Sequence, residues 1–227
     1  MYHVIVAARS RAKAEEAVRL LSVNPLLGTV DSLVLDVTEP NAITAAANQV
    51  EHRYGRLDIL VHNAGIFLAR NREHGAWPPS PYLFREVLET NAIGPMAVTE
   101  AFLPLMRRSI EGKPRLVFVT SSTASIGWTL DPASTVHRAA AAEYRASKAA
   151  LNMLMVQYHL GLKDEGFVVH GADPGLCATN LSGNPELLKA RGADTAEAGG
   201  EMIAAVVKGE RDGQPGRVHG SYGVREW

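Results

Sequence analysis

Tyr144 and Lys148 stand four residues apart in the stretch Tyr144-Arg145-Ala146-Ser147-Lys148. On a helix of 3.6 residues per turn, positions i and i+4 share a face, so a phenol and an ammonium become neighbours. A free phenol ionises near pH ~10 and is a poor proton donor or acceptor at neutrality. A cation ~4 Å away at an effective dielectric of ~20 is worth about 4 kcal/mol, roughly three pKa units, which brings the phenol towards neutrality. The pair has the makings of a tuned acid/base. The same spacing also describes an exposed helix pair worth a few tenths of a kcal/mol, and what surrounds it decides between the two.

The surroundings follow from the order of the elements. Apolar runs of strand length, at residues 3–8, 32–37, 57–61, 115–120 and 167–172, alternate with segments of helical period at 11–22, 38–54, 82–109, 144–163 and 195–208. Thr38 is placed to cap the second helix, with Pro40 in its first turn. Residues 217–222 suggest a short edge strand, and residues 176–193 read as irregular, broken by Gly183, Pro185 and Gly192. Buried strands joined by crossover helices predict a doubly wound α/β domain with a parallel sheet, spanning residues 1–227. Ligands of such sheets sit beyond the carboxyl ends of the strands. Arg9 and Ser10, Asp36 and Val37, Asn63-Ala64-Gly65, Ser121-Ser122, and Pro174-Gly175 all fall at that edge.

Composition narrows the class of function. The chain has 227 residues, 46% of them hydrophobic and 21% charged, with a formal net charge of −1. Neither a nucleic acid nor an anionic membrane is suggested as partner. The apolar run after Met1-Tyr2 is too short and wrongly flanked for a signal peptide, and no run approaches the ~20 residues that span a bilayer. One cysteine, Cys177, excludes an intramolecular disulfide and suits a reducing compartment, so a cytoplasmic protein is expected. Cys177 itself is expected to be a small buried residue.

Taken together, Asp36, Asn63-Ala64-Gly65, Asn91 in Thr90-Asn91-Ala92-Ile93-Gly94, Val119-Thr120-Ser121-Ser122, Tyr144 with Lys148, and Pro174-Gly175 followed by Thr179 resemble the short-chain dehydrogenase/reductase pattern over nearly the whole chain. The resemblance implies a Rossmann-like fold and interconversion of a carbonyl and an alcohol on a small molecule. It makes Tyr144 the group that protonates the oxygen, Lys148 the group that lowers its pKa and bonds the nicotinamide ribose, and Ser122, rather than Ser121, the group that polarises the substrate oxygen. Asn91 would support a water linking Lys148 to solvent. Asp36 and Val37 would flank the adenine, Asn63, Ala64 and Gly65 would admit the cofactor to the backbone, and Pro174, Gly175 and Thr179 would seat the nicotinamide amide. Asp36 could equally cap a turn and Asn91 a helix kink. A homo-oligomer, dimer or tetramer, is also implied, and no metal is.

Cofactor choice turns on the residues after the first strand. Ala8-Arg9-Ser10-Arg11 contains no carboxylate to bond a ribose 2′-hydroxyl and two arginines suited to a 2′-phosphate, so NADP(H) is favoured over NAD(H). The chain departs from the family in two places. No glycine-rich strand-turn-helix precedes residues 3–8, which match the family's second strand, so the sheet is expected to lack its usual first strand. Ser122 and Tyr144 are also further apart than usual, and the intervening loop at about 123–138 carries Trp128, Asp131, Pro132 and His137. With the loops at about 66–81 and 176–194 it would wall the substrate site, and Phe67, Trp77 and Trp128 suggest an apolar, ring-containing substrate. His62 stands where the family commonly has asparagine. Two readings remain: an NADP(H)-dependent reductase, or a non-redox descendant without ordinary dinucleotide binding.

Overall fold

A computed structural model describes residues 1–22, 28–68, 79–110, 112–137 and 141–225. Among these, strands and helices alternate as the periodicity requires. Strand β1 (His3–Ala8) leads into α1 (Arg11–Leu21), and β2 (Thr29–Val34) into α2 (Pro40–Tyr54). Strand β3 (Ile59–His62) is followed by α3 (Pro81–Leu88), a π turn (Glu89–Ile93) and α4 (Gly94–Met106). After β4 (Arg115–Val119) come α5 (Ile126–Leu130) and the long α6 (Ala142–Leu162); after β5 (Val168–Ala172), α7 (Pro185–Ala190) and α8 (Ala196–Val207); β6 (Val218–Gly220) and β7 (Gly223–Arg225) close the chain.

The architecture is α/β, but the strands form two sheets. β1 and β2 pair in parallel on their own, and the other five run in the order β3-β4-β5-β6-β7. All neighbours in the larger sheet are parallel except β6 and β7, which form an antiparallel hairpin where one edge strand was expected. The break falls between β1 and β3, where the family's first strand would lie. Both flanking strands show its effect: Val4 is 46% exposed and Val61 36%, unusual for strands of a covered parallel sheet. The two sheets nevertheless share one helical layer. Leu33, Leu35, Ile43, Val50, Val98 and Phe102 form a buried cluster on which Ile5 and Leu60 both pack.

The larger sheet has an apolar layer on each face. Leu103, Met106, Leu116, Phe118, Leu151, Met155 and Val169 join α4 and α6 to β4 and β5. On the other face Val117 and Ala172 pack against Val206 of α8. Strands β4 and β5 are buried throughout, which explains their unbroken apolar sequence.

Several local expectations are corrected. The second strand begins at Thr29 and ends at Val34, three residues ahead of the apolar run 32–37, because it takes its register from six consecutive partners in β1. Asp36 and Val37 therefore follow the strand. Thr38 does not cap α2: the cap position is Glu39, and the Thr38 hydroxyl is turned back to Asp36. Residues 176–193 are not wholly irregular, since a 3-10 turn (Asn180–Ser182) and α7 form there. The region after Ser122 likewise contains a 3-10 turn and α5.

Candidate active site

The carboxyl ends of β3, β4 and β5 point at the N-terminal half of α6, and the side chains singled out by spacing converge there. Lys148 is buried and Tyr144 half-buried. The Lys148 ammonium lies 5.8 Å from the centre of the Tyr144 ring and donates to the carbonyl of Val119 at 2.8 Å. Phe67 lies against the phenol, with ring centres 5.0 Å apart.

The electrostatics differ from the sequence expectation. Burial pushes the Tyr144 phenol up to about 12, and the negative charge of Asp173 acts in the same sense, while a hydrogen bond with Ser121 opposes them. Lys148 spends its ammonium on Val119 and does not bring the phenol towards neutrality. Burial lowers Lys148 itself to about 8, against an opposing pull from Asp173. The phenol therefore keeps its proton at neutral pH.

The serine pair divides its work. Ser121 Oγ faces Tyr144 and also meets Thr123 Oγ1 at 2.9 Å. Ser122 starts the 3-10 turn, and its backbone N–H is held by Asp173 Oδ2 at 2.7 Å. The serine in contact with the phenol is thus the one the family analogy ranked second.

Asn91, fully buried in the π turn, clamps the start of the 66–81 loop. Its Oδ1 accepts from Ile66 N at 2.8 Å, and its Nδ2 donates to Ile66 O at 2.9 Å and to Ser147 Oγ at 3.0 Å. Gly65 passes beside this clamp so closely that a Cβ there would lie 3.3 Å from Asn91 Oδ1 and 3.6 Å from Lys148 Nζ. A side chain at this position would crowd the Asn91 clamp, and glycine leaves that space beside the lysine open. Asn63 and Ala64 are exposed beside it.

Other candidates lie further along the edge. Arg9 and Ser10 are exposed after β1, where Ser10 caps α1 by accepting from Lys13 N. Asp36 accepts from Thr38 N at 3.0 Å and from Thr38 Oγ1 at 2.7 Å, and these bonds hold its carboxyl below the usual range, with a smaller contribution from Arg9. Val37 is partly buried against the second core cluster. Pro174 and Gly175 turn the chain after β5, with Gly175 N donating to Asp173 Oδ1, and Thr179 caps the following 3-10 turn. Cys177 is half-buried, donates to Pro174 O at 3.3 Å, and its thiol is raised by burial.

Two residues beside Tyr144 escaped the sequence reading. Glu143, buried, accepts from Ser80 N at 2.7 Å and so ties the start of α3 to α6. Arg145 donates to Thr123 O and Val136 O, each at 3.0 Å, and to Thr129 Oγ1, drawing the long 123–137 connection over α6. Charged residues flanking the phenol were the only signal, and their partners lie too far along the chain for spacing to reveal. Trp128 packs on Tyr222, with ring centres 6.0 Å apart; Trp77 lies outside the described residues.

The residues present fit one half of a nicotinamide dinucleotide. Lys148 supplies a cation, Tyr144 a phenol and Gly65 open backbone close to one another, a set suited to a riboside. Between β1 and β3, where the sheet breaks, no described residue offers a strand-to-helix turn for the pyrophosphate. Among the described residues no cluster could hold a metal ion, and no helix is long and apolar enough to cross a membrane.

Residues 1–187 match the family model described as short chain dehydrogenase. The short-chain dehydrogenase anuI of Penicillium roqueforti is 37% identical over 222 residues, covering 96% of this chain and 82% of that protein. The short-chain dehydrogenase/reductase tropE of Talaromyces stipitatus is 32% identical over 244 residues, covering 96% and 84%. Among solved structures, the NADPH-bound carbonyl reductase from chicken fatty liver superposes with a TM-score of 0.74 at 25% identity, covering 99% of this chain and 87% of that one. The carbonyl reductase Sniffer of D. melanogaster, at 20% identity, shares the fold with a TM-score of 0.77. The family's hydride carrier is a nicotinamide dinucleotide. With Tyr144, Lys148 and Asn91 gathered at the carboxyl edge of a Rossmann-like sheet, this chain belongs to the short-chain dehydrogenase/reductase family, and is an oxidoreductase.

Proposed function

We propose that the protein reduces a carbonyl to an alcohol, and runs the reverse, on a small apolar, ring-containing substrate with NADP(H). The reading rests chiefly on the Tyr144 phenol, kept protonated beside Lys148, a serine and an apolar ring. When bound, the dinucleotide supplies the hydride. Tyr144 gives its proton to the substrate oxygen, and Ser122, with Ser121 nearer the phenol, holds that oxygen. Lys148 bonds the riboside and adds positive charge beside the phenol. Asn91 keeps α6 and the 66–81 loop in register. Arg9 and Ser10 face a 2′-phosphate, while Asp36, Val37, Asn63, Ala64, Gly65, Pro174, Gly175 and Thr179 contact the rest of the cofactor.

Phe67 and Trp128 support an apolar substrate: Phe67 lies against the Tyr144 ring, and Trp128 packs on Tyr222, whose phenol bonds Asp173. Exposed Ile93, Met96, Met153 and Leu160, on the π turn, α4 and α6, support a homo-oligomer, dimer or tetramer. A second reading is a non-redox descendant that uses the same phenol and ammonium, 5.8 Å apart, for isomerisation or cyclisation.

One experiment separates them. Titration with NADPH and NADH, followed by fluorescence, is expected to show micromolar NADPH binding and weaker NADH. A panel of cyclic ketones should then consume NADPH. Absence of dinucleotide binding in a folded protein overturns the first reading and leaves the second.

A further inference from the structure

Asp173 lies at the end of β5 and is 2% exposed. Its carboxylate joins its own following turn to two segments distant in sequence. Oδ2 accepts from Ser122 N at 2.7 Å and from the Tyr222 phenol, and Oδ1 accepts from Gly175 N at 2.9 Å. Its own N–H donates to His219 O of β6 at 2.8 Å. The serine turn, the Pro174-Gly175 turn and the terminal hairpin thus meet on one buried anion.

The hairpin is shaped for this contact. A Cβ at Gly220 would come within 2.8 Å of Tyr222 Cε2, so glycine leaves the space through which the ring folds back to Asp173. The same ring packs on Trp128, with ring centres 6.0 Å apart. The anion in turn faces the acid/base pair. Around Tyr144 stand Asp173, Ser121, Phe67 and Lys148; around Lys148 stand Asp173, the carbonyl of Val119 and His62; Cys177 also senses the carboxylate.

We propose that Asp173 is a positioning residue of the active site: held by Tyr222 of the terminal hairpin, its carboxylate aligns the serine turn that faces Tyr144 and fixes a buried negative charge beside the Tyr144 and Lys148 pair. A buried carboxylate favours a neutral phenol over a phenolate and an ammonium over an amine, so both effects load the site for proton donation. Burial alone would strip the proton from Lys148 at lower pH; Asp173 opposes this. Its hydrogen bonds align the serine turn with the phenol at the same time. The inference deepens the reading of Tyr144 as the acid, and its test does not depend on turnover alone.

The Lys148 ammonium can be followed by the carbon-13 shift of its ε-carbon, assigned with a Lys148→Met variant. Asp173→Asn should move its midpoint down from about 8 by about one pH unit, the effect of a unit charge across ~10 Å at an effective dielectric of ~20. Asp173→Glu should return it towards the wild-type value. An unmoved midpoint in folded Asp173→Asn overturns the proposal. If that variant does not fold, Tyr222→Phe decides: it keeps the charge but loosens its hold, so the midpoint should stay and ketone reduction should fall about threefold to tenfold. Unchanged kcat and KM in Tyr222→Phe overturn the proposal. Failure of the underlying reading looks different, with full turnover in Tyr144→Phe while the Lys148 midpoint still responds to Asp173→Asn.

Discussion

Asn91 donates to Ser147 Oγ at 3.0 Å, and Ser147 Oγ donates on to the Tyr144 carbonyl at 2.7 Å, so the π turn is tied directly to the helix that carries the phenol. The π turn makes this possible, since five residues in one wide turn rotate Asn91 into the protein, where it is fully buried.

Removing this side chain leaves buried partners unmade. Asn91→Ala orphans Ile66 N and Ile66 O, each costing about 1–3 kcal/mol when shielded from water. The expected loss is about 2–4 kcal/mol in urea unfolding, with reduced turnover because the loop beside Gly65 is released. Ser147→Ala should cost less, about 1 kcal/mol, since only its link to Asn91 and Tyr144 is lost. Equal losses in the two variants would show that the Ile66 clamp carries no weight.

Tyr144→Phe should reduce turnover by about 10²–10⁴-fold, the range for removing a general acid, with near-ultraviolet circular dichroism unchanged. The pH profile tests its partner. With the phenol raised to about 12, Tyr144 remains protonated throughout the working range, and the group titrating within that range is Lys148, at about 8. Below 8 the ammonium is charged, and above 8 it is lost. The value of kcat/KM for ketone reduction should therefore fall as pH rises through about 8, and Lys148→Arg should remove that descending limb.

Arg9 tests the cofactor preference. Its side chain is exposed after β1, and a charge-assisted hydrogen bond to a phosphate is worth about 1.5–3 kcal/mol. Arg9→Asp should weaken NADPH binding about tenfold or more and leave NADH binding unchanged or tighter. Equal losses for both nucleotides would place Arg9 away from the 2′-phosphate.

What the sequence made legible was local. The i, i+4 spacing of Tyr144 and Lys148 and the alternation of apolar runs with helical period depend on residues a few positions apart, and both are present in the structure. What it hid depends on partners far along the chain. Lys148 bonds Val119, 29 residues away, and Asp173 is joined to Tyr222, 49 residues away, so neither the raised phenol nor the buried anion has a periodic signature. β2 shows the same limit in another form, because ladder pairing with β1, not the apolar run, decides where the strand begins. The terminal hairpin consists of strands of three residues, too short for alternation to be seen.

His62 and His170 make acid stability the last test. His62 is buried, stacked on Phe118 with ring centres 4.8 Å apart and bonded to Thr99 Oγ1 at 2.8 Å; burial, aided by the Lys148 charge, lowers it to about 3. His170, also buried, is lowered to about 4 by burial and by His219, against the opposing pull of Asp212. An unfolded chain takes up these protons near pH 6.5, so between 6.5 and about 4 the unfolded state binds more protons than the native state. Stability must therefore fall with falling pH across that window, by about 1.4 kcal/mol per unit for each histidine once below 6.5. Urea midpoints at pH 7, 6, 5 and 4.5 should decline accordingly. His62→Asn, which replaces the ring by a side chain that does not titrate, should reduce the slope even though it lowers stability at pH 7 by removing the stack on Phe118. A slope unaltered by His62→Asn would mean that the proton uptake arises elsewhere, in the cluster of His170, His219, Arg115 and Asp212 beneath the terminal hairpin.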